Sequence, residues 1–311
     1  MSTSAGAPDR GVRLGTLPAD EIAALLDAVE QGVPWRVALA DLALPVAARK
    51  PDWFTNESKA AFYLALPTPS DGLAIDVGAG AGVIAGALTK RFQRVIALDR
   101  DPAWCRFIRR RFAEDGVRGD VIEHSGFDVP LPAGSADLIA VNGVLEWVAC
   151  DDDPVRRHSS PRDVQVEFLR GMLRLLRERG RIAIAIENRF HFENFRGGRP
   201  HGEPSYAAIL PRRIADRLSR AKLGVPYRTW IYGSIGYKHL LHSAGFVDVQ
   251  LFAALPDYHQ PRVALPLSDA AAIRAYVGPR GGMKGRVFDA LARIGVIGHL
   301  VHSFYITAER R

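Results

Sequence analysis

With 311 residues, 48% of them apolar and 24% charged, the chain has the make-up of a globular enzyme and can bury a large core as one domain with insertions. Its two cysteines, Cys105 and Cys150, exclude a disulfide framework and a zinc cluster, and no stretch of 18 uncharged apolar residues exists to span a membrane. The net charge of +7 comes mostly from arginine (six of 41 basic residues are lysine) and is spread along helical segments without interleaved aromatics, so no nucleic-acid partner is expected.

Residues 1 to 16 are small, polar and glycine-containing and read as a loose tail. They lack the basic-then-apolar layout of a signal peptide, which with the low cysteine content fits a cytoplasmic location. Ile22, Leu25, Leu26 and Val29 form a helical stripe within Pro18 to Gln31, stopped at Gly32. Further helices are predicted over Trp35 to Leu42 and Asn56 to Leu66, the second capped by Thr55 or Asn56. This helical lead-in is expected to pack against the sheet that follows.

Leu73 to Val77 is a short apolar run, the pattern of a strand buried on both faces of a parallel sheet. Asp76 interrupts it near its carboxyl end, where ligands gather in open α/β sheets. Gly78, Gly80 and Gly82 follow on alternate positions, and Val83 opens a helix ending near Lys90 or Arg91. Strand, glycine loop and helix amino terminus together make a nucleotide-sized cradle. Gly80 to Ala85 fits the dinucleotide fingerprint G-x-G-x-x-A, which keeps NAD in view. The pattern Asp-x-Gly-x-Gly-x-Gly from Asp76 to Gly82 resembles the first motif of class I S-adenosylmethionine-dependent methyltransferases. In that family the acid helps hold the cofactor's amino-acid part, and the glycines pass beneath the sulfonium ligand. Arg94 to Leu98 is the next strand, closed by Asp99, 23 residues after Asp76. A carboxylate there can accept both hydroxyls of a ribose, which serves either cofactor. Asp101 and Pro102 supply the cap of the following helix, leaving Asp99 to a ligand.

The helix from Pro102 to Glu114 turns Trp104, Phe107, Ile108 and Phe112 inward, and Asp120 to Glu123 is a weak third strand. A proline- and glycine-rich stretch from Asp128 leads into a fourth strand ending at Asn142. It resembles the family's adenine-flanking loop, with one departure: Ser125 stands where many members carry aspartate, so Phe127 is expected to contribute by stacking. Asn142-Gly-Val-Leu-Glu-Trp147 resembles the family's post-strand segment, often Asn-x-x-Leu-x-His; here Trp147 replaces the histidine and removes a base. Asp151, Asp152 and Asp153 read as a solvated loop. Ser160 and Pro161 start a helix with Phe168, Leu169 and Met172 on its apolar face, stopped by Gly180. Arg181 to Ile186 is the clearest buried strand. The segment Asn188 to Pro211 far exceeds an ordinary connection of about two to six residues and reads as an insertion. Helices follow at Pro211 to Lys222 and Ser234 to Ala244, then a sixth strand at Val247 to Leu251 and a second polar-aromatic loop at Leu255 to Pro261. Two more helices, near Ser268–Val277 and Lys284–Ile294, precede a final hairpin-like strand at Val301 to Ala308.

The resemblance covers about Asp71 to Phe252 with the last strand added. It implies an α/β, Rossmann-like, doubly wound seven-stranded sheet, mostly parallel with an antiparallel last strand. A helical N-terminal extension would precede the sheet, and an insertion would follow strand five. Residues 1–70 would be the tail and extension and 71–311 the methyltransferase domain, with about 188–230 as an acceptor-side cap. The implied cofactor is S-adenosylmethionine, held by Asp76, Gly78, Gly80 and Gly82 after the first strand and by Asp99 and Arg100 after the second. Ser125, Gly126, Phe127 and Asn142 would complete its site. The segments Asn-Gly-Val-Leu-Glu-Trp, Ile-Glu-Asn-Arg and Leu-Pro-Asp-Tyr look like a bacterial subgroup associated with glycan and secondary-metabolite pathways. The acceptor expected is therefore an oxygen or nitrogen of a small molecule, such as a sugar or secondary metabolite.

Methyl transfer from a sulfonium is an in-line displacement, helped by alignment and exclusion of water, together worth roughly 7–11 kcal/mol at best. An oxygen or nitrogen acceptor also loses a proton, which calls for a base. Glu146, Glu187 and His191, past the fourth and fifth strands, are the base candidates, and His191 has the right intrinsic pKa. His201, Tyr206, Tyr258 and His259 are candidates to line the acceptor pocket. Asp151, Asp152, Glu187 and Asn188 carry oxygens of the hard-cation type, but their spacing is not diagnostic and no metal is assigned. Two other classes stand beside this reading. A NAD(P)-dependent oxidoreductase is disfavoured by Asp76 inside the motif, and a non-catalytic cofactor-binding protein by the retained acids.

Overall fold

The computed structural model describes residues 19–41, 54–150, 153–278 and 281–311. Its centre is β1 (Leu73–Val77), buried along its whole length. Leu73, Ile75 and Val77 enter one apolar cluster and Ala74 another, the alternation of a strand covered on both faces. β2 (Arg94–Asp99), β3 (Asp120–Glu123), β4 (Ala136–Asn142) and β5 (Leu176–Glu187) run parallel with it. With β6 (Val247–Leu255), β7 (Val263–Pro266) and β8 (Ser303–Glu309) they form one mixed sheet, ordered β3-β2-β1-β4-β5-β8-β6-β7.

The sheet thus has eight strands where seven were expected. The additional strand is β7, three half-buried residues and an exposed proline at the edge, too short to show a period and closed by a residue that an edge tolerates. The last strand, β8, is antiparallel as expected, but it inserts between β5 and β6 and does not lie outside them as a hairpin. Helices cover both faces. Phe168, Leu169 and Met172 of helix Pro161–Leu175 and Leu240 and Leu241 of helix Ser234–Ala244 pack on one side. Ile84 and Leu88 of helix Val83–Leu88 pack on the other. Among the described residues no helix is long and apolar enough to cross a membrane.

Local chemistry sets the helix boundaries. The Asp101 side chain accepts the Ala103 N–H with Pro102 at the first helical position, and the helix runs Pro102–Glu114 as predicted. Ser160 caps helix Pro161–Leu175 in the same way, through the Asp163 N–H. That helix ends at Leu175 and not at Gly180, because Leu176 already turns extended to pair with Ala136 of β4. Gly180 serves the bulged register that follows: a Cβ there would stand 2.9 Å from the Ala136 carbonyl oxygen. The acid at Asp153, read as part of a solvated loop, caps a short helix, Pro154–His158; Asp151, Asp152 and the tail residues lie outside the described residues.

The lead-in packs differently from the expectation. Helices Ala19–Glu30 and Trp35–Asp41 dock on helix Pro102–Glu114 instead of the sheet. Trp35 Nε1 donates to Asp115 Oδ1 at 3.0 Å, and its ring meets Phe107 edge-on at 6.2 Å. The segment capped by Asn56, a 3₁₀ turn at Glu57–Ala60 and the helix Ala61–Ala65, does reach the sheet, where Phe62 stacks on Tyr305 at 4.2 Å.

Candidate active site

The glycine loop leaves β1 at its carboxyl end. Gly78, at φ +70°, donates its N–H to the Leu98 carbonyl at 2.7 Å, and a Cβ there would fall 2.3 Å from Val144 Cγ2. Gly80, at φ +51°, would place a Cβ in open space, so at this point the backbone forms the floor of a pocket. Gly82 lies behind the loop, against Ile108. Asp76 is almost wholly buried, and its Oδ2 accepts the Ala85 N–H at 2.9 Å. It caps the helix whose own N-cap, Gly82, has no side chain to offer. Burial pushes its pKa up to about 7.

Asp99 at the end of β2 is more engaged than the sequence argument allowed. Its Oδ2 accepts the Gly80 N–H at 2.7 Å and its Oδ1 the Asp101 N–H at 2.9 Å. Burial raises its pKa, and these two backbone bonds oppose the rise. Each oxygen keeps a second lone pair, so Asp99 ties the glycine loop to β2 and still faces the pocket as an acceptor.

Arg100, Ser125, Phe127 and Asn142 line the same pocket. Gly126 stands behind it at φ +90°, close against Phe168. The Phe127 ring is held edge-on to Phe168 at 5.7 Å, with the Arg156 guanidinium 4.0 Å over it, so much of its stacking surface is already covered by protein. Asn142 Oδ1 accepts from Tyr63 Oη at 3.0 Å. The lead-in, expected by default to pack on the sheet, also walls the pocket: Phe54 and Lys59 line it, and Phe54 stacks on Trp104 at 5.6 Å.

The pocket continues past Asn142 to a second, acidic end, where Glu146, Glu187, His201, Tyr258 and His259 converge. They come from the turn after β4, the end of β5, the insertion and the loop after β6. His201 Nε2 lies 3.3 Å from Glu187 Oε1 and 3.8 Å from Glu146 Oε1, and its Nδ1 lies 3.9 Å from Glu203 Oε1. The imidazole packs edge-on to Trp147 at 4.9 Å, beside the position where the sequence had lost a histidine. Tyr258 Oη donates to Glu187 Oε1 at 2.9 Å, and His259 Nε2 stands 4.0 Å from the same oxygen.

The electrostatics follow from this crowding. Burial, reinforced by Glu187, pushes Glu146 up to about 8, and burial likewise lifts Glu203 to about 8. Burial alone would lower His201, but Glu187, Glu146 and Glu203 outweigh it and raise the imidazole to about 9. Burial would raise Glu187, yet His201 overrides it and holds that carboxylate well below its usual range. His201 and Glu187 thus stabilise each other's charged form.

Of the three base candidates, Glu146 and Glu187 are brought together and His191 is not. The His191 ring lies against His302 and Phe192, outside the pocket lining, and burial lowers its pKa to about 3. His201 occupies the expected place. Tyr206 is also outside, 45% exposed. Asn188 is no cation ligand: its Nδ2 donates to the His299 and Val301 carbonyls and its Oδ1 accepts the Phe190 N–H.

Residues 75–184, from β1 into β5, match the family model described as a methyltransferase domain. That stretch is a methyltransferase domain, and S-adenosylmethionine is the cofactor it implies. No curated protein matches its sequence. Among solved structures it is similar to the geranyl diphosphate C-methyltransferase of Streptomyces coelicolor A3(2), at 16% identity over 96% of each chain with a TM-score of 0.47. It is also similar to a SAM-dependent methyltransferase from Aquifex aeolicus, at 15% identity over 89% of this chain and 98% of the other, with a TM-score of 0.43. The glycine-loop end of the pocket has features such a cofactor would need: Gly80 leaves room where a side chain would stand, and Asp99 presents lone pairs beside it.

Proposed function

We propose that the methyltransferase acts on an oxygen or nitrogen of a polar small molecule, a sugar or secondary metabolite in class, seated against Glu146, Glu187 and His201. One observation supports this above the others: a single pocket runs from the glycine loop to these three side chains, so cofactor and acceptor share one enclosure. The cofactor supplies a methyl group on a positively charged sulfur. The chain's part is to align the acceptor, exclude water and take up the proton that the acceptor loses. Glu146 and Glu187 each keep a buried oxygen without a hydrogen bond, which an acceptor hydroxyl or amine would satisfy and an apolar acceptor would leave stranded. Tyr258 holds Glu187 in place through its 2.9 Å bond. The insertion and the loop after β6 supply His201, Tyr258 and His259, so acceptor choice lies in these loops while the sheet holds the cofactor.

Incubation with methyl-labelled cofactor and a panel of hydroxylated and amino small molecules tests the reading by mass spectrometry and NMR. Label is expected on oxygen or nitrogen. Glu187→Gln should bind S-adenosylhomocysteine like the parent and lose roughly 10²–10⁴-fold in rate. Label found only on carbon, or only on apolar acceptors, would reject it.

A further inference from the structure

We infer that Glu146, Glu187 and His201 form a binding site for one divalent transition-metal ion of the manganese-to-zinc series, at the acceptor end of the pocket. The inference rests on the methyltransferase reading only for its place beside the acceptor. One ligand atom from each residue can be chosen so that all three lie within 4.8 Å of one another. The imidazole-to-carboxylate separations of 3.3 and 3.8 Å compare with an edge of about 3.3 Å for a tetrahedral ion bound at about 2.0–2.1 Å. Small side-chain rotations close the remainder.

A second, independent observation points to a ligand. Glu146 Oε2, Glu187 Oε2 and both ring nitrogens of His201 are buried without a hydrogen bond. The side chains of His201 and Glu146 are only 2% and 1% exposed. A single buried polar atom left unpaired costs about 1–3 kcal/mol, more when charged, and three of these, Glu146 Oε2, Glu187 Oε2 and His201 Nε2, belong to the side chains that meet here. The charge argues the same way. Three carboxylates face one imidazole in this enclosure, and a doubly positive ion would balance Glu146 and Glu187 together.

The surroundings match those of a metal centre. Glu203 Oε1 lies 3.9 Å from His201 Nδ1, on the far side of the ring from Nε2, the arrangement that fixes the tautomer of a ligating histidine. Tyr258 Oη donates to Glu187 Oε1 and holds that carboxylate in place beside the imidazole. One imidazole with two carboxylates favours manganese, iron, cobalt or zinc, whereas magnesium and calcium prefer oxygen alone. Three protein ligands leave positions open to water or an acceptor oxygen.

The full-length protein, stripped with a chelator, would be titrated calorimetrically with Mn²⁺, Zn²⁺ and Mg²⁺. One Mn²⁺ or Zn²⁺ per chain is expected, with Mg²⁺ weaker. Pulsed EPR of the Mn²⁺ form should show coupling to one imidazole nitrogen, absent in His201→Gln. Glu203→Gln, a positioning change, should lower metal affinity about 10–100-fold. No binding in the parent, or binding without nitrogen coupling, overturns the site. A parallel titration with S-adenosylhomocysteine judges the methyltransferase reading separately, since the cofactor end shares none of these ligands.

Discussion

At His191, burial and one neighbouring imidazole set an acid limit for the fold. Burial, and then His302 with its ring centroid 4.6 Å away, hold the folded-state pKa down at about 3. The unfolded chain protonates this imidazole near its usual value of about 6.5. The contribution to stability is therefore full above that value and lost as pH falls from about 6.5 towards 3. His191→Gln should flatten that part of the acid limb in thermal melts from pH 7 to 3 and leave methyl transfer unchanged. A tenfold fall in transfer would return His191 to the chemistry. Asp76 has the opposite sign. Its pKa is raised to about 7, so the folded state holds a proton that the unfolded state has released. Its contribution is full below about 3.9 and lost as pH rises through about 7. Asp76→Asn keeps an oxygen for the Ala85 N–H, and in the cofactor-free protein it should be more stable than the parent at pH 8 but not at pH 4. Denaturant titrations at the two values decide it.

At the scale of the element, the glycine loop divides its work by position. Gly78→Ala must accept φ +70° and a contact of 2.3 Å with Val144 Cγ2, on a β-branched side chain with little room to rotate. It should cost about 2 kcal/mol or more, read by denaturant unfolding. Gly80→Ala meets no atom within 4 Å and bears only the strain of φ +51°, about 1–2 kcal/mol. Its added methyl enters the pocket instead, so it should weaken S-adenosylhomocysteine binding in calorimetry. Equal affinity in parent and Gly80→Ala would move the cofactor away from this part of the loop.

At the scale of the whole molecule, the acidic end exists only because four distant segments meet there. Glu187 at the end of β5 and Tyr258 in the loop after β6 are joined by one bond of 2.9 Å. Gly143, beside Asn142, makes room for that tyrosine: a Cβ there would fall 2.8 Å from Tyr258 Oη. Tyr258→Phe and Glu187→Gln should therefore not add. A double-mutant cycle on kcat/KM is expected to show a coupling of about 0.5–3 kcal/mol. Strict additivity would mean that the bond does not act in the reaction.

The sequence by itself determined the strand Leu73–Val77, the glycine loop, the start of the next helix at Val83 (its end was expected near Lys90 or Arg91 and lies at Leu88), the bounds of helix Pro102–Glu114, and the acids at or near the ends of β1 and β2. These features depend on alternation, caps and turns, which a residue's near neighbours control. It also placed Glu146 and Glu187 at strand ends facing the cofactor side. Only the tertiary structure put His201, and not His191, into the lining of the pocket. The two stand ten residues apart in one insertion and offer the same imidazole. What separates them is the turn at Pro200–Gly202, with His201 at φ +58°, and the packing of that ring against Trp147. The same holds for the short edge strand β7 and for the two amides that occupy Asp99. Each depends on contacts between segments far apart in the chain, and such contacts leave no period or spacing in the sequence to read.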